Sequence, residues 1–318
     1  MPENREQLIE QFNAGSMPAL ARAISLVENE REGYLEVLGA VRSRVGNAHR
    51  IGLTGPPGAG KSTLTSALVA EYRKLGMRVG VIAIDPTSPF TGGALLGDRV
   101  RMEDVAQDEG VYIRSLATRG AQGGLSTAAA DVLDLLDAFG MERIIVESVG
   151  VGQSELDILG AVDTCAVVLV PESGDSIQTL KAGLMEIADL FVVNKADRPG
   201  ADALARDLSV MLGLRVNAER EQRRRVLQTV ATEHTGVPQL REALEAHWSA
   251  SEASGELIAR RKSRVRQQVR QVAERMLSVR LWTSGSPASV ALENFSAELL
   301  DGRMSPRAVA ARIVEGMA

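Results

Sequence analysis

Cysteine is almost missing from this chain of 318 residues: Cys165 is the single one, and it sits in an apolar run. A disulfide framework is excluded, and a small buried residue is its expected role. Histidine is nearly as scarce. His49, His234 and His247 are scattered, and with one cysteine they offer no C-x-x-C or His cluster for a transition metal. Aromatics make up only 3% of residues, so a core must lean on Ala, Val, Leu and Ile. No apolar run approaches the roughly 18 residues of a membrane span, and the start, Met1 to Glu6, is polar with no signal-peptide core. The chain therefore reads as cytoplasmic, with no membrane association. A formal net charge of −5 argues against a general nucleic-acid binder. What is present, 45% hydrophobic and 24% charged residues, suits a globular α/β domain with appendages.

Against that background one stretch stands out. Gly55, Pro56, Pro57, Gly58, Ala59, Gly60, Lys61 and Ser62 spell G-x-x-x-x-G-K-S, followed by Thr63. An apolar run, His49–Thr54, precedes it and a helical pattern, Ser62–Leu75, follows. Strand, Gly-rich turn and helix together make this a phosphate-binding loop, whereas a chance glycine turn would lack that context. Glycines let successive N–H groups point at phosphate oxygens, and the next helix adds its positive dipole end. Lys61 suits the β- and γ-phosphates and the Ser62 hydroxyl suits Mg²⁺.

Residues 4–45 read as helices, broken at Gly15-Ser16-Met17-Pro18. From 49 to about 248, strand and helix patterns alternate. Expected strands are Arg50–Leu53, Arg78–Ile84, Val111–Arg114, Arg143–Glu147, Cys165–Val170, Leu190–Val193 and Val226–Val230. Expected helices include Ser62–Leu75, Thr127–Phe139, Ser176–Ala188 and Pro238–Trp248. Continuous Val/Ile runs alternating with helices predict an α/β, doubly wound, mostly parallel sheet, with ligands beyond its carboxyl edge. Ser249–Gly255 reads as a linker. Beyond it come one long helix, Glu256–Leu281, a shorter one over 287–300, and a last one capped by Ser305-Pro306. The long helix carries a narrow apolar stripe, Ile258, Val265, Val269, Val272 and Met276, suggesting subunit pairing. Its basic run, Arg260, Arg261, Lys262, Arg264, Arg266 and Arg270, reads first as a solvated face. The expected segments are 1–46, an N-terminal helical extension; 47–250, the nucleotide domain; and 251–318, a helical C-terminal arm.

Asn194-Lys195-Ala-Asp197 closes an apolar strand. At this place N-K-x-D reads a base: the Asp197 carboxylate accepts from the N1–H and N2–H₂ of guanine, a donor pair adenine lacks. GTP and GDP are the expected ligands. Glu147-Ser148-Val149-Gly150 matches D-x-x-G with Glu for Asp, so Glu147 should reach the Mg²⁺ shell and the Gly150 N–H the γ-phosphate. Asp85 ends another strand, and Asp98 lies in a glycine-bearing loop after it; both are candidate Mg²⁺ groups beside Ser62 and Glu147. Val151 fills the slot where Ras-type enzymes keep a water-orienting glutamine, and Gln153 lies two residues on. Lys61, Glu147 and Gln153 are the candidate catalytic residues, with slow intrinsic hydrolysis expected.

Asp85-Pro-Thr-Ser, Thr91-Gly-Gly…Leu-Gly-Asp98-Arg-Val-Arg-Met102 and Glu147-Ser-Val-Gly-Val-Gly-Gln-Ser154, in that order with the P-loop and Asn-Lys-Ala-Asp, resemble the MeaB/ArgK/MMAA family. The resemblance implies a G-protein chaperone of adenosylcobalamin-dependent acyl-CoA mutases, chiefly methylmalonyl-CoA mutase. It implies switch regions at 85–102, 147–158 and 173–181, and a homodimer built through the C-terminal arm. Lys181-Ala182 departs from the Lys-Lys of relatives, and the later base-side loop reads Thr229-Val230-Ala231 rather than Ser-Ala-Lys, so the resemblance implies a guanine contact made mainly through its backbone. Arg99, Arg119 and Lys181 are candidate charge-stabilising groups. An ArgK-type kinase is a second reading, without a visible acceptor site or base. A metal-delivery GTPase is a third, and the lack of a Cys/His cluster speaks against it.

Overall fold

The computed structural model describes residues 5–85, 105, 107–117, 127–148, 160–173, 188–213 and 225–316. Seven strands form one sheet: β1 His49–Thr54, β2 Val79–Asp85, β3 Val111–Ala117, β4 Arg143–Ser148, β5 Thr164–Leu169, β6 Leu190–Asn194 and β7 Arg225–Thr229. They are the seven expected strands, with ends moved by no more than three residues. Their order is β3-β2-β4-β1-β5-β6-β7 and all pairings are parallel. Every residue of β1, β4, β5 and β6 is buried, as central parallel strands covered on both faces must be. The strand order reverses at β1, which places the mouth of the site beyond the carboxyl ends of β1, β4 and β5.

Helices cover both faces. On one side α1 (Arg5–Asn13), α2 (Met17–Glu28), α3 (Tyr34–Val41) and α5 (Thr127–Ala138) bury Leu20, Ile24, Leu133 and Leu136 with Ile82, Ile144 and Val146 of the sheet. On the other, α4 (Lys61–Lys74) and α7 (Val237–Ala253) bury Leu64, Leu68, Leu240 and Leu244 against Ile51, Leu53 and Ile145. A helix absent from the sequence expectations, α6 (Ala201–Gly213), packs Leu204 and Leu208 on β6. The N-terminal stretch folds as three helices rather than two. Gly15 takes φ 82°, and the Ser16 hydroxyl caps α2 by accepting from the Ala19 N–H.

The expected linker is a correction: Ser249–Ala253 is the end of α7, and the chain breaks at Gly255, with φ 77°. Ala250, Glu252 and Ala253 favour helix, outweighing their small, polar neighbours. Next come α8 (Glu256–Trp282), α9 (Pro287–Asn294), α10 (Ser296–Leu300) and α11 (Pro306–Glu315), so the expected single helix over 287–300 is two. The chain divides into two compact units, Met1–Arg264 and Val265–Ala318. The second has its own small core, Ala288, Val309 and Ile313, packed with Leu281, Phe295 and Leu299.

Of the basic run on α8, Lys262, Arg266 and Arg270 are exposed as expected, whereas Arg260, Arg261 and Arg264 are clamped onto buried carboxylates. Arg261 donates to Asp163 Oδ2 at 2.7 Å and Arg264 to Asp163 Oδ1 at 2.5 Å. Arg260 forks onto both oxygens of Asp189, at 3.0 and 2.8 Å. These carboxylates immediately precede β5 and β6, at the amino edge of the sheet. Burial alone would raise both; Arg261 and Arg264 on Asp163, and His247 and Arg260 on Asp189, outweigh it and hold each far below the usual range. At the same edge Arg143 grips Glu245 with two bonds, 2.8 and 2.5 Å, while the Tyr72 hydroxyl donates to Glu245 at 3.0 Å.

Candidate nucleotide-binding site

The loop between β1 and α4 is shaped by three left-handed glycines: Gly55 at φ 139°, Gly58 at 77° and Gly60 at 83°. A Cβ at Gly60 would meet the Asn194 Nδ2 at 2.5 Å, so the glycine is needed for space as well as for φ. Gly60 leads directly into α4, whose first residue is Lys61. The Lys61 ammonium is folded over the loop, donating to the carbonyls of Gly55 at 2.8 Å and Pro56 at 3.0 Å. Loop, lysine and helix amino end thus form a concave, electropositive cradle for phosphate.

Glu147, from β4, is brought to the same place by the β1–β4 register, which pairs it with Leu53. It is 5% exposed. The Ser62 hydroxyl donates to its Oε1 at 2.5 Å and the Thr65 hydroxyl to its Oε2 at 2.9 Å. Asp85 ends β2, one residue beyond the pairing of Ile84 with Ser148. Its strand therefore delivers it to this edge. Among the described residues no group of three or more His, Cys, Asp and Glu could hold a metal. One carboxylate and one hydroxyl at a phosphate cradle suit Mg²⁺, which takes few protein ligands and completes its shell with water and phosphate oxygens.

On the base side, Asn194 ties three segments together. Its Nδ2 donates to the Ala59 carbonyl at 2.9 Å, and its Oδ1 accepts from the Thr229 hydroxyl at 3.1 Å and the Ala231 N–H at 3.2 Å. Asn194 and Thr229 are both buried. Lys195 adopts φ 55° and donates to the Gly58 carbonyl at 2.8 Å. Asp197 is exposed at the rim. Thr229 contributes a side chain as well as backbone, whereas Val230 closes the loop through its pairing with Thr235.

The structure therefore gathers Gly55 through Thr63, Glu147, Asn194, Lys195, Asp197 and Thr229–Ala231 at one carboxyl edge. Asp98, Gly150 and Gln153 lie outside the described residues, as do Arg99, Arg119, Val151, Lys181 and the expected helix from Ser176, together with nearly all of the three expected switch regions. Thr65 was not anticipated. The available signal was its spacing, three positions after Ser62 on a helix, which puts both hydroxyls on one face.

A parallel sheet of this order with a P-loop after β1 and an N-K-x-D motif that closes β6 defines the chain as a P-loop nucleotide-binding protein of the GTPase class. A family model described as methylmalonyl Co-A mutase-associated GTPase MeaB matches residues 20–286. The chain belongs to this MeaB family. It is 49% identical to a protein named putative GTPase from Pyrococcus abyssi, over 86% of this chain and 85% of that one. It is 34% identical to the mitochondrial methylmalonic aciduria type A homolog of Mus musculus, over 78% of this chain and 64% of that one. A crystal structure titled LAO/AO transport system kinase superposes with TM-score 0.74 and 28% identity, covering 100% of this chain and 98% of that one. The protein is thus a MeaB/ArgK-family GTPase.

Proposed function

We propose that this GTPase is a nucleotide-gated chaperone of an adenosylcobalamin-dependent acyl-CoA mutase, with methylmalonyl-CoA mutase the first candidate, working in the cytoplasm. GTP binding and hydrolysis gate delivery of intact cobalamin and protect or reactivate the mutase. Family membership and the name of the mouse relative support the partner. The observation that carries the switch is the Ser62–Glu147 hydrogen bond, which fastens the P-loop helix to the strand leading into the 147–158 segment. Lys61 holds the β- and γ-phosphates, and Asp197 reads guanine. Ser62, Glu147, Asp85 and Asp98 are the residues that would hold Mg²⁺, and bound there it neutralises charge on the phosphates. Gly150 meets the γ-phosphate by its N–H.

With valine at 151, no side chain in the usual slot orients water. Hydrolysis is accordingly slow until the mutase reorders the segment containing Gln153. The chain pairs as a homodimer through its C-terminal helices. Val269, Met276 and Val279 on α8 are each at least 60% exposed, an apolar stripe that a helical partner would cover.

The deciding experiment is single-turnover GTP hydrolysis by the purified protein, alone and with the mutase, joined to a pull-down with the protein loaded with a non-hydrolysable GTP analogue. Slow hydrolysis that accelerates with the mutase, and capture of that mutase, are expected. A fast rate alone, or no mutase captured, overturns the reading. The kinase title of the related crystal structure makes one control worthwhile: labelled γ-phosphate from GTP should reach water only, not arginine or protein.

A further inference from the structure

The two oxygens of Glu147 are held by two hydroxyls of α4 that are not equivalent. Ser62, directly after Lys61, stands at the phosphate end and donates to Oε1; Thr65, fully buried one turn deeper, donates to Oε2. A buried threonine inside a helix ordinarily returns its hydroxyl to the carbonyl one turn back. Here the hydroxyl goes to Glu147. A serine hydroxyl has one hydrogen and two lone pairs. When its hydrogen is committed to Glu147, both lone pairs are left for a cation.

We propose that Thr65 is a positioning residue for Mg²⁺-dependent nucleotide binding. By holding Oε2 it fixes the rotation of the Glu147 carboxylate, which keeps Oε1 on the Ser62 hydroxyl and turns the Ser62 lone pairs toward the phosphate cradle. Without it, a buried anionic oxygen loses a donor. The carboxylate then turns to recover one, and Ser62 loses its fixed orientation. The inference rests on the reading of Ser62 as a Mg²⁺ ligand.

The test measures fluorescent GDP and non-hydrolysable GTP-analogue affinity of the full chain, in excess MgCl₂ and in EDTA. Thr65→Val keeps the shape and removes the hydroxyl; Thr65→Ser keeps the hydroxyl. A charge-assisted hydrogen bond predicts a loss of roughly ten-fold or more for Thr65→Val in Mg²⁺, with EDTA affinity within about two-fold of wild type and Thr65→Ser close to wild type throughout. If Thr65→Val melts below the assay temperature, Thr65→Ala replaces it with the same expectation. An unchanged Mg²⁺ enhancement in the hydroxyl-free variant, an equal loss with and without Mg²⁺, or a Thr65→Ser loss as deep as that of valine each overturns the proposal. A wild-type protein with no Mg²⁺ enhancement removes the Ser62 reading itself, and this inference with it.

Discussion

The backbone of Gly55 lies against the carbonyl of Val168, so closely that a Cβ at Gly55 would sit 2.0 Å from the Val168 oxygen. The P-loop is thus floored by β5. Gly55→Ala must bend the strand or the loop, and its φ of 139° is itself hostile to an L side chain. Destabilisation of about 3 kcal/mol with loss of nucleotide binding is expected. Gly58, also left-handed but with nothing within 4 Å of its Cβ, is the control. Gly58→Ala should cost only about 1 kcal/mol. Urea unfolding of the two variants checks the contrast.

Asn194→Ala should damage both stability and binding. It strands the Thr229 hydroxyl and the Ala231 N–H inside the protein and frees Ala59 from the base-side loop. The expected cost is about 2 kcal/mol of stability and roughly ten-fold or more in affinity, equal for GDP and GTP because neither group meets the γ-phosphate. Titration with fluorescent nucleotides reads the affinity; unequal losses would refute the shared-scaffold role.

Asp197 is tested by specificity rather than affinity. Asp197→Asn places an amide where the proposed guanine reader has a carboxylate that would accept two donors. Xanthine offers an acceptor in place of the exocyclic amino group, so the ratio of XTP to GTP binding should rise by about ten-fold or more. Competition binding measures it, and an unchanged ratio removes Asp197 from base recognition.

Acid sensitivity should pass through Glu245. Burial would raise this carboxyl, but His49 at 3.6 Å and the Arg143 fork prevail and lower it from 4.5 to about 2. A folded value below the unfolded one means that the stabilisation is complete above about pH 4.5 and lost as pH falls toward about 2. At neutral pH, where burial keeps His49 uncharged, Arg143 carries the pair and the stabilisation is below about 3 kcal/mol because Glu245 is partly exposed. Glu245→Gln should therefore lower the urea midpoint at pH 7, and the gap to wild type should shrink as pH falls through that window.

The strands were legible because both faces of a central parallel strand are buried, which writes itself as an unbroken Val/Ile run such as Arg143-Ile-Ile-Val146. The P-loop was legible because its chemistry is local. Contacts between distant residues were not. Nothing near Arg261 reveals that its partner is Asp163, and a basic helix face looks the same whether solvated or clamped. Thr65 was hidden for the same reason: its meaning depends on Glu147, which only the sheet register brings to it.

The Asp163 and Asp189 clamps also decide where this molecule can be cut. A gene fragment ending at Ala250 would keep all seven strands yet discard Arg260, Arg261 and Arg264. Asp163 would then lose both of its guanidinium partners and Asp189 would keep only His247, with the amino edge of the sheet uncovered. The shortest fragment that keeps all three guanidinium groups on these carboxylates runs through Arg264. The first turns of the last long helix therefore belong with the sheet, and a domain boundary drawn by composition alone would sever them from it.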